Sequence, residues 1–183
     1  MNKALFILLF ISQTFSSFSQ KVYYPKLGST FEFYLREMTG SETDFTYHFE
    51  RPNDQLFKRT KEWGSDGFGV WIDRKNIVFY GASEQAIEHA IYYTLEHSFG
   101  IRFISAEETY IPKMARIKPL PYTLYEQVPA FEYREVFYGE ARRAGYAESF
   151  CLTDGQGTGS FERHPGWGLW VHTLHRLLPP ETY

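Results

Sequence analysis

Residues 67–100 read GFGVWIDRKNIVFYGASEQAIEHAIYYTLEHSFG. This stretch decides the fold because its apolar period changes once, from a strand pattern to a helix pattern. Phe68 to Ile72 and Asn76 to Tyr80 are runs of β-prone residues, and Asp73-Arg74-Lys75 is a polar turn between them. A hairpin is therefore predicted. Ser83 then stands where a helix needs an N-cap, and Glu84 falls in the first turn, where the dipole favours an acid. Ile87, Ala90, Ile91 and Leu95 line one face, and Gly100 is placed to close the helix.

Working upstream, Phe45 to Phe49 alternates and suggests a strand, while Arg51 to Ser65 is polar and reads as loop. The segment STFEFYLREMTG, residues 29–40, carries helix punctuation. Ser29 and Glu32 fit a capping box, and Phe31, Tyr34, Leu35 and Met38 form an apolar stripe. Gly40 is suited to a left-handed stop. Val22 to Tyr24 is a short strand before Pro25.

Downstream, Ile101 to Ile104 and Tyr110-Ile111 are short strands. The resulting fold class is α+β: a mixed sheet with two helices on one face, spanning residues 20–113. From Pro112 to Pro129 four prolines fall in eighteen residues, which predicts a proline-rich connection over 114–129. Phe131 to Tyr138, FEYREVFY, then reads as a strong strand. It is followed by a Gly-rich region holding seven of the chain's 14 glycines. One strand in about 54 residues cannot bury a competent core. Residues 130–183 are accordingly expected to open a larger domain.

The N-terminus has the features of an export signal. Lys3 precedes an unbroken apolar run from Ala4 to Ile11, and Ser17 and Ser19 place small residues before a cut ahead of Gln20. The run is shorter than the roughly 20 residues needed to span a bilayer. Export to the periplasm or the extracellular space is expected, without a membrane anchor. Loss of Lys3 leaves 18 basic and 22 acidic residues, a net charge of −4. No basic stripe is present, so nucleic acid is a poor partner. Cys151 is the only cysteine, so no internal disulfide forms and stability must come from packing.

Aromatic residues make up 19% of the chain. Flat rings can stack on the apolar faces of sugars; the competing expectation is that they fill the core. The tail GWGLWVHTLHRLLPPETY brings Trp167, Trp170, His172 and His175 together, with His164 shortly before. Three histidines can bind zinc, but the spacing lacks a HExxH context and a fourth ligand, so no metal is expected. Trp170 beside His172 suits a sugar site, a stacking platform next to neutral hydrogen-bonding groups. Glu132 and Glu135 point to opposite faces of a regular strand, so they are not a glycosidase acid pair. Arg134 and Glu132 share a face and suit a structural salt bridge. No G-x-S-x-G, P-loop or G-x-G-x-x-G motif occurs, and no cofactor is expected.

The pattern GAS-x-x-A, a helix ending in LE-x-x-G, then IRF and IPK, resembles the accessory N-terminal domain of alpha-glucuronidases and beta-N-acetylhexosaminidases. In those enzymes this domain precedes a (β/α)8 barrel. The segment PAFEYREVFY resembles the first barrel strand that follows, and WVHTLHRLLPPETY is similar to the bacterial domain-of-unknown-function family 4838. The resemblance covers residues 20 to 183. It implies the first βα unit of an incomplete barrel, glycoside hydrolysis by the whole protein, and a carbohydrate partner. Tyr133, Arg134, Glu135, His172 and Thr173 fall on family motifs near the barrel mouth. The candidate substrate-binding residues are therefore Arg134, Glu135, Trp170, His172 and Thr173. The catalytic carboxylates of such families sit on later barrel strands. No acidic residue of this chain matches one, so the chain alone is expected to be silent. The alternative is a non-catalytic module that holds polysaccharide on exposed aromatics.

Overall fold

The computed structural model describes residues 20–131, 134, 136, 139–143 and 145–152. The expected signal peptide lies outside them. Among the described residues one five-stranded mixed sheet carries two long helices, and a separate two-stranded ribbon stands beside it. The α+β architecture predicted from the residue 67–100 pattern is thus observed.

Strand β1 (Lys21–Val22) pairs antiparallel with β2 (Thr46–Glu50). Helix α1 (Pro25–Thr39) connects them. β2 lies parallel to β4 (Asn76–Gly81), and β4 pairs antiparallel with β3 (Phe68–Arg74) through the predicted hairpin. Helix α2 (Glu84–His97) follows, capped by the Ser83 side chain, which accepts from the Ala86 amide. Strands β5 (Arg102–Phe103) and β6 (Thr109–Tyr110) pair, among the described residues, only with each other. The two short strands expected there therefore form a ribbon instead of extending the sheet.

The alternation along β3 and β4 explains the layering. Val70 faces Phe79 across the hairpin, and Ile72 faces Ile77. These side chains join Leu27, Phe31, Leu35 and Met38 of α1 and Ile87, Ala90, Ile91 and Leu95 of α2 in one buried cluster. Both helices therefore cover the same face. Phe31 is fully buried, and its ring meets Tyr47, Phe79 and Phe99 edge-on at 5.2, 5.4 and 5.8 Å. Most large rings of the domain fill core space in this way.

Two expectations are corrected, and one is borne out with an addition. Helix α1 begins at Pro25, one turn before Ser29, and no capping box forms. Proline presets a helical φ and has no N–H to satisfy at a first-turn position. Ser29 instead bonds back to the Pro25 carbonyl, and Glu32 receives the Tyr47 hydroxyl. Second, the polar stretch 51–65 is a loop that carries Phe57 and Trp63 into a second buried cluster with Val78 and Tyr80, on the sheet face away from the helices. Third, the segment 114–129 is not a mere connection. Leu120–Gln127 is strand β7, antiparallel to β3 at the sheet edge. An edge position and a register shift opposite Ile72 and Arg74 accommodate Pro121, which has no amide proton to give.

Beyond β7 the described chain holds a 3-10 turn at Gly139–Arg142 and a one-turn helix, α3 (Tyr146–Ser149). Of the expected barrel strand, Phe131, Arg134 and Val136 are described, and none belongs to a strand. No helix of the described residues is long and apolar enough to cross a membrane.

Candidate functional site

Of the candidate substrate-binding residues, Arg134 is described; Glu135, Trp170, His172 and Thr173 lie outside the described residues. Arg134 is not aimed at open solvent. Its Nη2 lies 2.6 Å from Asp66 Oδ2, its Nη1 donates to the Phe131 carbonyl at 2.7 Å, and its Nε donates to the Cys151 carbonyl at 2.9 Å. One guanidinium thus ties the loop before β3 to the chain on both sides of α3.

Asp66 reaches this position because the loop turns sharply beneath Trp63, whose carbonyl accepts from the Gly67 amide at 2.7 Å. The carboxylate is buried, with 7% of its side chain exposed, and Arg134 keeps 20%. Pairing of this kind is required when charges leave water.

His89 lies beside the pair, on the buried side of α2 and 1% exposed. Burial holds its pKa down to about 4, the nearby Arg134 charge adds to this, and Asp66 opposes it. The imidazole is therefore neutral at neutral pH. Cys151 offers its thiol toward the His89 carbonyl at 4.0 Å. Burial pushes the thiol up to about 12, against a lowering influence from Arg134. A thiol in that state is not a nucleophile. Glu88, the residue before His89 on α2, is raised to about 7, first by burial and then by Glu148, with Lys26 partly offsetting both.

The cluster can hold chain segments in register; it lacks an activated nucleophile. Among the described residues no group of three or more His, Cys, Asp and Glu side chains is arranged to hold a metal ion. Sequence reading identified Arg134 but assigned it Glu132 as partner, and Glu132 lies outside the described residues. Asp66 and His89 were missed. The available signal for His89 was a polar residue next to Ala90 on the apolar stripe of a helix.

A second feature lies on the sheet face away from the helices. Trp71 of β3 and Tyr122 of β7 meet edge-on with ring centroids 6.5 Å apart. Tyr122 is 66% exposed and Leu124 beside it is 40% exposed. His48 shares this face, because it pairs with Val78, which pairs in turn with Trp71. No protein-family model matches the chain, and no curated protein matches it in sequence.

Proposed function

We propose that the chain is the N-terminal portion of an exported glycoside-hydrolase-like protein acting on polysaccharide or oligosaccharide, of the alpha-glucuronidase or hexosaminidase type. In this reading the sheet and its two helices are an accessory domain. The residues from Phe131 onward open a (β/α)8 barrel, which carries the chemistry on its later strands. The Asp66–Arg134 ion pair carries the reading. It joins the accessory domain to the FEYREVFY segment at a buried position. Burying a charge pair costs desolvation that an independent, freely linked module would have no reason to incur. A domain that sets the geometry of the one following it does have such a reason.

The test is release of aglycone from aryl-glucuronides and aryl-hexosaminides. The purified 183-residue polypeptide is expected to be silent. Sustained turnover by it, surviving clean purification, would overturn the accessory role.

The non-catalytic alternative, a carbohydrate-binding module, is favoured by one observation, the exposed Tyr122 ring set edge-on against the half-buried Trp71. Tryptophan fluorescence during titration with soluble glycans separates the two readings. A shift lost in Trp71→Ala, with unchanged circular dichroism, supports binding on that face.

A further inference from the structure

Helix α1, strand β2 and the loop between them line a cavity of about 200 Å3 that shares no residue with the Arg134 cluster, formed by Glu32, Leu35, Arg36, Glu42, Thr43, Phe45 and Tyr47. Leu35 and Phe45 are buried and form an apolar floor. Glu32, Arg36 and Glu42 are exposed and form a charged rim. The Tyr47 hydroxyl donates to Glu32 Oε1 at 2.6 Å, which orients that carboxylate. Gly28 makes the contact feasible, since a Cβ there would stand 2.6 Å from the Tyr47 hydroxyl oxygen.

The rim is open in an informative way. Glu32 and Arg36 are four apart on α1, a spacing that ordinarily gives an ion pair. Here the carboxylate is held by Tyr47. Arg36 and Glu42 make no ion pair among the described residues. The cavity therefore offers two carboxylates as acceptors, one guanidinium as a donor, the Thr43 hydroxyl as either, and the Phe45 and Tyr47 rings. Its volume equals that of about six or seven waters at roughly 30 Å3 each. That is below the usual range for drug-sized ligands and suits one small ring.

We propose that this cavity binds a single pyranose unit that carries no carboxylate. The inference rests on the glycan reading above and narrows it. Neighbouring sugar hydroxyls donate to a carboxylate pairwise, the ring C–H face lies on Phe45 and Tyr47, and Arg36 donates to a ring or hydroxyl oxygen. Two carboxylates against one guanidinium give the rim a net negative charge, which selects against uronate rings. Of the two sugar classes left open, hexosaminide ends fit and glucuronide ends do not.

The test is a site-resolved amide NMR titration of the full chain with methyl N-acetylglucosaminide, methyl glucuronoside and glycine as separate probes. The expected result is saturable movement of the Glu42, Thr43 and Tyr47 amides with the hexosaminide, at a Kd of about 1–10 mM for so small a ligand. The glucuronoside should bind at least about fivefold more weakly. Glu42→Gln should weaken the hexosaminide about fivefold and narrow its advantage over the glucuronoside, leaving the thermal midpoint unchanged. Tyr47→Phe should weaken binding by a similar factor through a freed Glu32. Shifts confined to Trp71 and Tyr122 would overturn the cavity site while leaving the glycan reading in place. No carbohydrate shift anywhere would overturn the cavity site and the binding-module reading together, while the accessory role stands or falls separately on aglycone release. A response to glycine alone, or equal binding of the glucuronoside, would overturn the proposed selectivity and with it the site.

Discussion

Arg134 Nη2 lies 2.6 Å from Asp66 Oδ2, and the same guanidinium holds the carbonyls of Phe131 and Cys151. Two parts of the chain far apart in sequence are thereby fixed at one buried point. Removing one partner leaves an uncompensated charge away from water. Asp66→Ala should lower unfolding stability in urea by about 3 kcal/mol. The double variant Asp66→Ala/Arg134→Met should recover part of that loss, because it removes the stranded charge as well. Strict additivity of the two single variants would show that the pair is not coupled.

Two neighbours contribute to the pH dependence of stability with opposite signs. His89 falls from its ordinary 6.5 to about 4 on folding, so between those values the unfolded chain binds the extra proton. Its contribution is fully present above pH 6.5 and is lost as pH falls toward 4. Glu88 rises from 4.5 to about 7, so between those values the folded chain binds the extra proton. Its contribution is present below pH 4.5 and is lost as pH rises through 7. Over the shared window, about pH 4.5 to 6.5, the two slopes oppose each other and the net dependence from this pair is small. Glu88→Gln should expose the His89 slope, with stability falling on acidification. His89→Gln should expose the reverse slope. Urea midpoints at half-unit pH steps read both, and parallel curves for the wild type and both variants would refute the assignment.

The parts of the fold that were legible in sequence are those where one local pattern has no competitor. The hairpin at Phe68–Gly81 and the stripe of Ile87, Ala90, Ile91 and Leu95 are periodic, and the core accepts them as they stand. Helix α1 was misplaced at its start because two local signals competed. A capping box at Ser29 and Glu32 is a good start, yet Pro25 allows one turn more, and Tyr47 takes the Glu32 carboxylate. Strand β7 is hidden by Pro121 and by Pro119 just before it. Only its edge position makes Pro121 tolerable, and edge position is a property of the whole sheet. The Asp66–Arg134 pair could not be read locally at all. Asp66 sits in a polar loop and acquires its partner only when that loop folds over the sheet.

Cys151 offers a chemical probe of the same cluster. Its thiol is pushed up to about 12, so at pH 8 very little thiolate is present. Labelling by Ellman's reagent in the folded chain should be slower than in urea by about a hundredfold or more. Asp66→Ala should accelerate labelling under native conditions, because loss of the ion pair frees the segment that Arg134 holds. Equal rates in the folded wild type and the unfolded chain would contradict the buried placement of the sulfur.

The loop covering the second sheet face can be tested at Gly69. A Cβ added there would lie 2.5 Å from the Phe57 ring, closer than any side chain permits. Phe57 is buried and packs against Trp63 at 5.3 Å and against Tyr80 at 5.1 Å, so the ring cannot yield without disturbing its neighbours. Gly69→Ala should therefore lift the loop and cost about 1–3 kcal/mol by overpacking. Trp63, now 1% exposed, should shift its emission to longer wavelength as water reaches it. The Trp63 indole also donates to Glu126 Oε1 on β7 at 2.6 Å, so the lifted loop should weaken the edge strand too. Amide exchange along Leu120–Gln127 should quicken in Gly69→Ala and return toward wild type in Gly69→Ala/Phe57→Leu, where the smaller side chain makes room. Exchange unchanged in the single variant would mean that the loop and β7 are independent.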